Sequence, residues 1–277
     1  MKKVRRGALI FGIILLSVIL AIISHAILPA DLNLAELNSL LVKEFGFPVV
    51  ACLYFLVLYC HCSMSIFRYG KEASLNKWQI GVRFGLAFGL LYQVGMLEIT
   101  PDLTSFTLEF VKHQFLIGLG DFLPVLILCV LLSLLLERKE NNKKCLLPLE
   151  KKTVTVIVIA QAFFLERIVG YEIGIVDSAY EACKWPCVFW NVVMGITFGV
   201  SYVLLLPIFQ QYKNKAIHLM GVAIGLNWLW FNGFIVLVIE GTLGVMLIRG
   251  LLDVGVLVLV TFLLEKGYLR DELEIQF

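Results

Sequence analysis

Charge is scarce in this chain: only 16% of its 277 residues are Asp, Glu, Lys or Arg, and only 7 are proline. Catalytic signatures are missing as well. There is no HExxH, no GxSxG, no Walker A lysine loop and no GxGxxG. Zinc-protease, serine-hydrolase and ATPase readings therefore lose their usual support. The four histidines, His25, His61, His113 and His218, have no ligand spacing. Cys60-His61-Cys62 looks metallic, but on a helix neighbouring side chains project about 100° apart and cannot close on one ion. No metal and no cofactor is expected. Of the seven cysteines, Cys52, Cys60, Cys62 and Cys129 fall in apolar runs, where Cys behaves as a small hydrophobe. Cys145 falls in a basic segment. Cys183 and Cys187 stand four residues apart near a helix start, which does not by itself make a disulfide.

What the chain does have is apolar length. A mean hydropathy of +0.91 with 60% hydrophobic residues is far outside the soluble range, where roughly half the residues are apolar. A spanning helix needs about 20 mostly apolar residues. Eight such runs lie near 7–28, 48–67, 79–99, 115–136, 153–175, 187–209, 217–239 and 243–264. They leave no room for a soluble domain. The expected fold is all-α, a polytopic integral membrane protein with eight transmembrane helices. The run from Gly7 to Ile23 exceeds the usual signal-peptide core of about 7–15 residues, so it reads as an uncleaved first helix.

Lys and Arg alternate between the connections. Lys43, Lys112 and Lys184 fall on one side, Arg83, Arg167 and Arg249 fall within spans, and the rest of the 23 basic residues fall on the other side. Positive charge stays cytoplasmic. This predicts cytoplasmic N- and C-termini and a cell (plasma) membrane location. The net charge of +2 reports topology and gives no argument for nucleic acid.

The chain also repeats itself. Pro48 and Pro186 open spans 2 and 6. Gly85-Leu86-Ala87-Phe88-Gly89-Leu90 in span 3 answers Gly221-Val222-Ala223-Ile224-Gly225-Leu226 in span 7. Asp121 before Leu135-Leu136-Glu137-Arg138 answers Asp253 before Leu263-Leu264-Glu265-Lys266. The spacing between counterparts shrinks steadily along the chain. Residues 1–137 are expected to form one four-helix membrane unit and 153–277 a second, joined by a basic cytoplasmic linker at 138–152. With an even number of spans per unit the repeats are parallel, related by an axis along the membrane normal. Outside, Asp31–Phe45 carries Leu34, Leu37, Leu41 and Phe45 at helical spacing, with Asp31 as N-cap and Gly46 as stop. Leu103, Phe106 and Phe110 repeat the pattern. Both read as short helices in the outer interface, as anchors or lids.

Ionisable groups inside a span are expensive, by at least ~2.5–3.5 kcal/mol each, and mark function or pairing. Asp121, Glu166, Arg167, Arg249 and Asp253 are the candidates. Arg249 stands one turn before Asp253, a spacing that lets the two meet. Asp121 has no base a turn away. Glu166 and Arg167 point apart and each needs a partner on another helix. Gln93, Asn191, Asn227 and Asn232 either line the same cavity or form interhelical bonds worth about 0.6 kcal/mol each. Trp228 and Trp230 line a cavity or pack. Arg83, close to Lys77, is read as structural. Glu98, Glu172 and Glu240 are read as solvated. Gly85-x-x-x-Gly89, Gly195-x-x-x-Gly199 and Gly221-x-x-x-Gly225 are close-packing faces, candidates for the interface between the halves.

Three functions fit these features. The first is a small-solute transporter coupled to a proton or another cation, with the lipid bilayer, a solute and the coupling ion as its partners. The second is a non-transporting accessory, assembly or sensor protein whose buried ion pairs are structural. The third is an intramembrane lipid-active enzyme. A transporter needs a water-accessible path to Asp121 or Asp253. A structural protein closes every buried acid against a base.

Overall fold

A computed structural model of the chain describes residues 2–28, 37–98, 106–137 and 147–270. Most of the described residues are helical, and none of them is in a strand. In chain order the helices are α1 (Lys2–Ile27), α2 (Leu40–Phe45), α3 (Phe47–Tyr69), α4 (Lys77–Gly95), α5 (Leu108–Leu134), α6 (Leu149–Glu172), α7 (Lys184–Leu205), a π-wound stretch (Ala216–Gly225) running into α8 (Leu226–Val238), and α9 (Leu243–Lys266). Seven are long and apolar enough to cross a membrane, with the π-wound stretch and α8 counted as one. Large apolar side chains such as Leu9, Phe11 and Ile19 of α1, and Leu251, Leu259 and Leu263 of α9, face outward. So much exposed apolar surface is what lipid requires and water penalises.

The eighth expected span, α4, does not meet the apolar standard. Its 19 residues include Lys77, Gln79, Arg83 and Gln93. The physical reason lies in its position. Ile80, Phe84, Ala87, Phe88 and Leu91 are all fully buried. α4 packs on α5 and α7 and touches α3 and α8. A helix jacketed by protein needs no apolar perimeter.

The packing order is regular. α1 packs on α3 and α5, α3 on α5, and α4 on α5. In the later part of the chain α6 packs on α7 and α9, and the π-wound stretch and α8 on α9. The main contacts that join these groups are α4 with α7 and α3 with α8. Glycine makes the closest approaches possible. A Cβ on Gly85 would stand 3.0 Å from Leu126 Cα of α5, one on Gly199 2.8 Å from Val156 Cα of α6, and one on Gly225 2.7 Å from Val254 Cγ1 of α9. The glycine stripes therefore serve the α4–α5, α6–α7 and π–α9 contacts. They are not at the α4–α7 or α3–α8 contacts, where an interface between halves was sought.

The outer segment differs from expectation. Only Leu40–Phe45 is helical among the described residues, and Ser39 caps it, accepting from the Val42 amide at 3.1 Å. Asp31 and Leu34 lie outside the described residues. Gly46, at φ 79°, ends the helix. Ser39 Oγ also donates to the Leu237 carbonyl at 2.6 Å, and Lys43 pairs with Glu240 at 3.1 Å. These bonds seat the segment on the α8–α9 connection. Leu103 is outside the described residues. Phe110 belongs to α5 itself, which starts at Leu108 behind a Thr107 cap.

Candidate functional site

The site is built where α6, α9, α8 and the end of α4 converge. Arg167 on α6 has no exposed surface. Its guanidinium is placed by two aromatic faces, Phe163 one turn earlier at 5.2 Å and Trp190 of α7 at 5.6 Å. Trp190 is itself fixed by donating to the Val94 carbonyl at 2.8 Å.

Arg167 grips Asp253 of α9 with two parallel bonds, Nε to Oδ1 and Nη2 to Oδ2, each 2.7 Å. This fork-to-carboxylate geometry is the strongest ion pair a protein makes. Trp228 Nε1 adds a third bond to Asp253 at 2.8 Å. The remaining Arg167 nitrogen, Nη1, donates to Glu98 at 3.0 Å. Glu98 stands just past α4, and its second oxygen accepts from Arg249 at 3.0 Å. Arg249 also donates to Asn232 Oδ1 at 2.5 Å, and Asn232 Nδ2 donates to the Trp228 carbonyl at 2.9 Å. One carboxylate thus bridges two arginines on different helices.

Glu166 is the odd member. Its side chain is 8% exposed; it lies beside the Asp253 carboxyl group, and Arg167 Nε stands at 3.8 Å. Among the described residues neither of its oxygens accepts from an N–H or hydroxyl donor, and its one side-chain hydrogen-bond neighbour is the carboxyl group of Asp253. The cluster therefore sets three carboxylates, Glu98, Glu166 and Asp253, against two guanidiniums, Arg167 and Arg249. With every group ionised it carries one surplus negative charge. One bound proton or monovalent cation makes it neutral.

The structure brings together Glu166, Arg167, Asn232, Arg249 and Asp253 of the sequence candidates and leaves the others apart. Asp121 of α5 instead meets His25 of α1 at 2.9 Å, and the His25 ring stacks on Phe55. Gln93 donates to the Phe115 carbonyl at 2.9 Å, an α4–α5 bond. Asn227 donates to Cys62 Sγ at 3.4 Å, and Asn191 accepts from Tyr171 at 3.4 Å. The Cys60-His61-Cys62 side chains diverge: His61 faces the Ala223 carbonyl and Cys62 faces Tyr92 and Asn227.

Two readings need correction. The expected Arg249–Asp253 pair along α9 does not form, since each residue takes a partner on another element. Glu98 is not solvated. Its side chain is 15% exposed and bridges the arginines. Glu172 and Glu240 are exposed as expected. The sequence reading missed Glu98 as a member, Trp228 as a donor and His25 as a base. The usable signal was which end of its run each residue favours: Glu98, Arg167, Arg249, His25 and Asp121 all fall toward the same end of the alternating runs. No family model, no curated protein and no solved structure matches this chain.

Proposed function

We propose that this chain is a proton- or cation-coupled transporter of a small solute, with Glu166 as the group that takes up the coupling ion. The observation that carries the proposal is the surplus carboxylate. A network built only to hold helices together gains nothing from a third carboxylate set against two guanidiniums in a low-dielectric interior, where a charge at mid-membrane costs at least ~2.5–3.5 kcal/mol. An acid that must load and unload an ion needs freedom from fixed N–H and hydroxyl donors. Arg167 and Asp253, both without exposed surface, then form the closed side of an occluded state.

The architecture proposed is a parallel tandem repeat of four spans each, with α4 as the third span. The termini lie on the basic, cytoplasmic side of the cell membrane. Contacts support the repeat in register. Gly85 meets Leu126 and Gly89 meets Phe122; in the later half Gly221 meets Val258 and Gly225 meets Val254. Phe122 follows Asp121 as Val254 follows Asp253, so the contacts are counterparts. The α4–α7 and α3–α8 contacts exchange under the same relation. So do the two acid–base pairs: His25–Asp121 joins the first and last spans of one half, Arg167–Asp253 those of the other.

A second reading has its own support. Asp121 is closed against His25 and Asp253 against Arg167, as a non-transporting accessory or assembly protein requires. Liposomes carrying the purified protein and an entrapped pH dye separate the readings. Pooled candidate solutes are added under an imposed pH gradient and, in a second series, a sodium gradient. The transporter reading expects ion-coupled solute entry for at least one pool in the wild type, lost in Glu166→Gln. Traces identical to empty liposomes for every pool and both gradients would favour the structural reading.

A further inference from the structure

The face opposite the charge cluster holds a cavity of ≈ 190 Å³ among Arg83, Lys152, Val203, Leu204, Pro207 and Gln210. It opens at the end of the bundle where basic residues gather: Lys77 starts α4, Lys152 lies in the first turns of α6, and Pro207 lies in the turn that follows α7. Two of its lining residues are cations and none is an acid. Arg83 uses one donor, Nη1, on the Leu204 carbonyl at 2.6 Å. Among the described residues neither Arg83 nor Lys152 pairs with a carboxylate. Lys151, its neighbour, is turned away and stands over the Tyr268 ring at 5.5 Å.

Two uncompensated cations facing one small cavity repel each other, and a half-buried guanidinium whose printed bond is to the Leu204 carbonyl loses hydration without a counter-charge to offset it. A fork of free N–H donors beside an ammonium suits a tetrahedral oxyanion. The apolar wall of Val203, Leu204 and Pro207 suits the glycerol backbone and first methylenes of a lipid better than bulk solution. The depth fits, because basic pockets between spanning helices at the cytoplasmic end capture anionic head groups.

We propose that this cavity binds a phosphate group at the basic end of the bundle, with Arg83 and Lys152 as its ligands. The group belongs either to an anionic phospholipid or to free inorganic phosphate. The site stands apart from Glu166 and does not depend on the transport reading. The test uses the full chain in two arms. In the first, nanodiscs of phosphatidylcholine alone or with increasing phosphatidylglycerol are compared by melting temperature and by lipid retained in native mass spectrometry. In the second, inorganic phosphate is titrated onto the protein in neutral detergent, with chloride at matched ionic strength as reference. The wild type is expected to show saturable stabilisation in at least one arm. Each of Arg83→Gln and Lys152→Gln should weaken the apparent affinity about fivefold, and the double variant should abolish saturation. Lys151→Gln should leave it unchanged. Because Arg83 also holds Leu204, Lys152→Gln alone keeps the test valid should Arg83→Gln fold poorly. Saturation in the lipid arm alone assigns a head group. Saturation by phosphate with the same loss in the variants assigns the free ion. Equal responses from wild type and Lys152→Gln in both arms would overturn the proposal.

Discussion

Asp253 has two arginines within plausible reach and takes the one on another helix. Arg249 precedes it by one turn on α9, the less favourable order for a helical ion pair against the macrodipole. Arg167 arrives from α6 with its fork flat to the carboxylate and makes two bonds of 2.7 Å. The partner decides which variants matter. Asp253→Asn takes both 2.7 Å bonds from Arg167 and leaves it Glu98 at 3.0 Å and Glu166 at 3.8 Å; hydrogen bonds to charged groups contribute about 1.5–3 kcal/mol each. Poor membrane yield and a lowered melting temperature in detergent are expected. Arg167→Met in the same chain should restore part of both, whereas Arg249→Leu should not. Equal rescue by the two would mean that the pairing described is wrong. Glu166→Gln is expected to behave in the opposite way. It removes the surplus charge and leaves two carboxylates facing two guanidiniums. Its melting temperature should equal or exceed that of the wild type, and a large drop would point to a structural partner for Glu166.

Helix packing makes a sharper claim than composition does. A Cβ on Gly199 would stand 2.8 Å from the Val156 backbone, while one on Gly221 would meet only Val258 Cγ2 at 3.4 Å, an ordinary contact. Gly199→Ala should therefore force α6 and α7 apart and destabilise the bundle. Gly221→Ala should be neutral within about 1 kcal/mol, because the helix propensity of alanine offsets any crowding. Detergent melting of the two variants side by side checks the ranking. The same elements mark what was legible in the sequence. Apolar period gave the helices, because a span must be apolar wherever lipid touches it. It served least well for α4, whose surroundings are protein and whose Arg83 and Gln93 are bonded to the Leu204 and Phe115 carbonyls. Spacing along one helix pointed to Arg249 for Asp253, but the actual partners, Arg167 and Trp228, come from α6 and α8. Sequence separation carries no information about those pairings. The end of the run that each residue favours carries a little, since His25, Glu98, Asp121, Arg167 and Arg249 all fall toward the same end of the alternating runs.

At the scale of the whole molecule, the two halves of the proposed repeat differ where it matters. One joins its first and last spans through His25–Asp121, the other through Arg167–Asp253, a base that can lose its proton against one that cannot. The surplus acid belongs to the second half. The arrangement across the membrane is open to a direct check. Single cysteines replacing Lys143 and Lys215 should resist an impermeant reagent added from outside, and those replacing Lys43 and Lys184 should react, in a background without native cysteines. Reaction at 143 with none at 43 would reverse the orientation. The central claim is that the interior cluster binds a proton or cation at Glu166. Its most direct test is the infrared difference spectrum of the reconstituted protein between mildly acidic and mildly alkaline pH, at low and high sodium. The account predicts a carboxyl C=O band of a buried acid that changes with pH or sodium and disappears in Glu166→Gln. A Glu166→Gln spectrum superimposable on the wild type would contradict it.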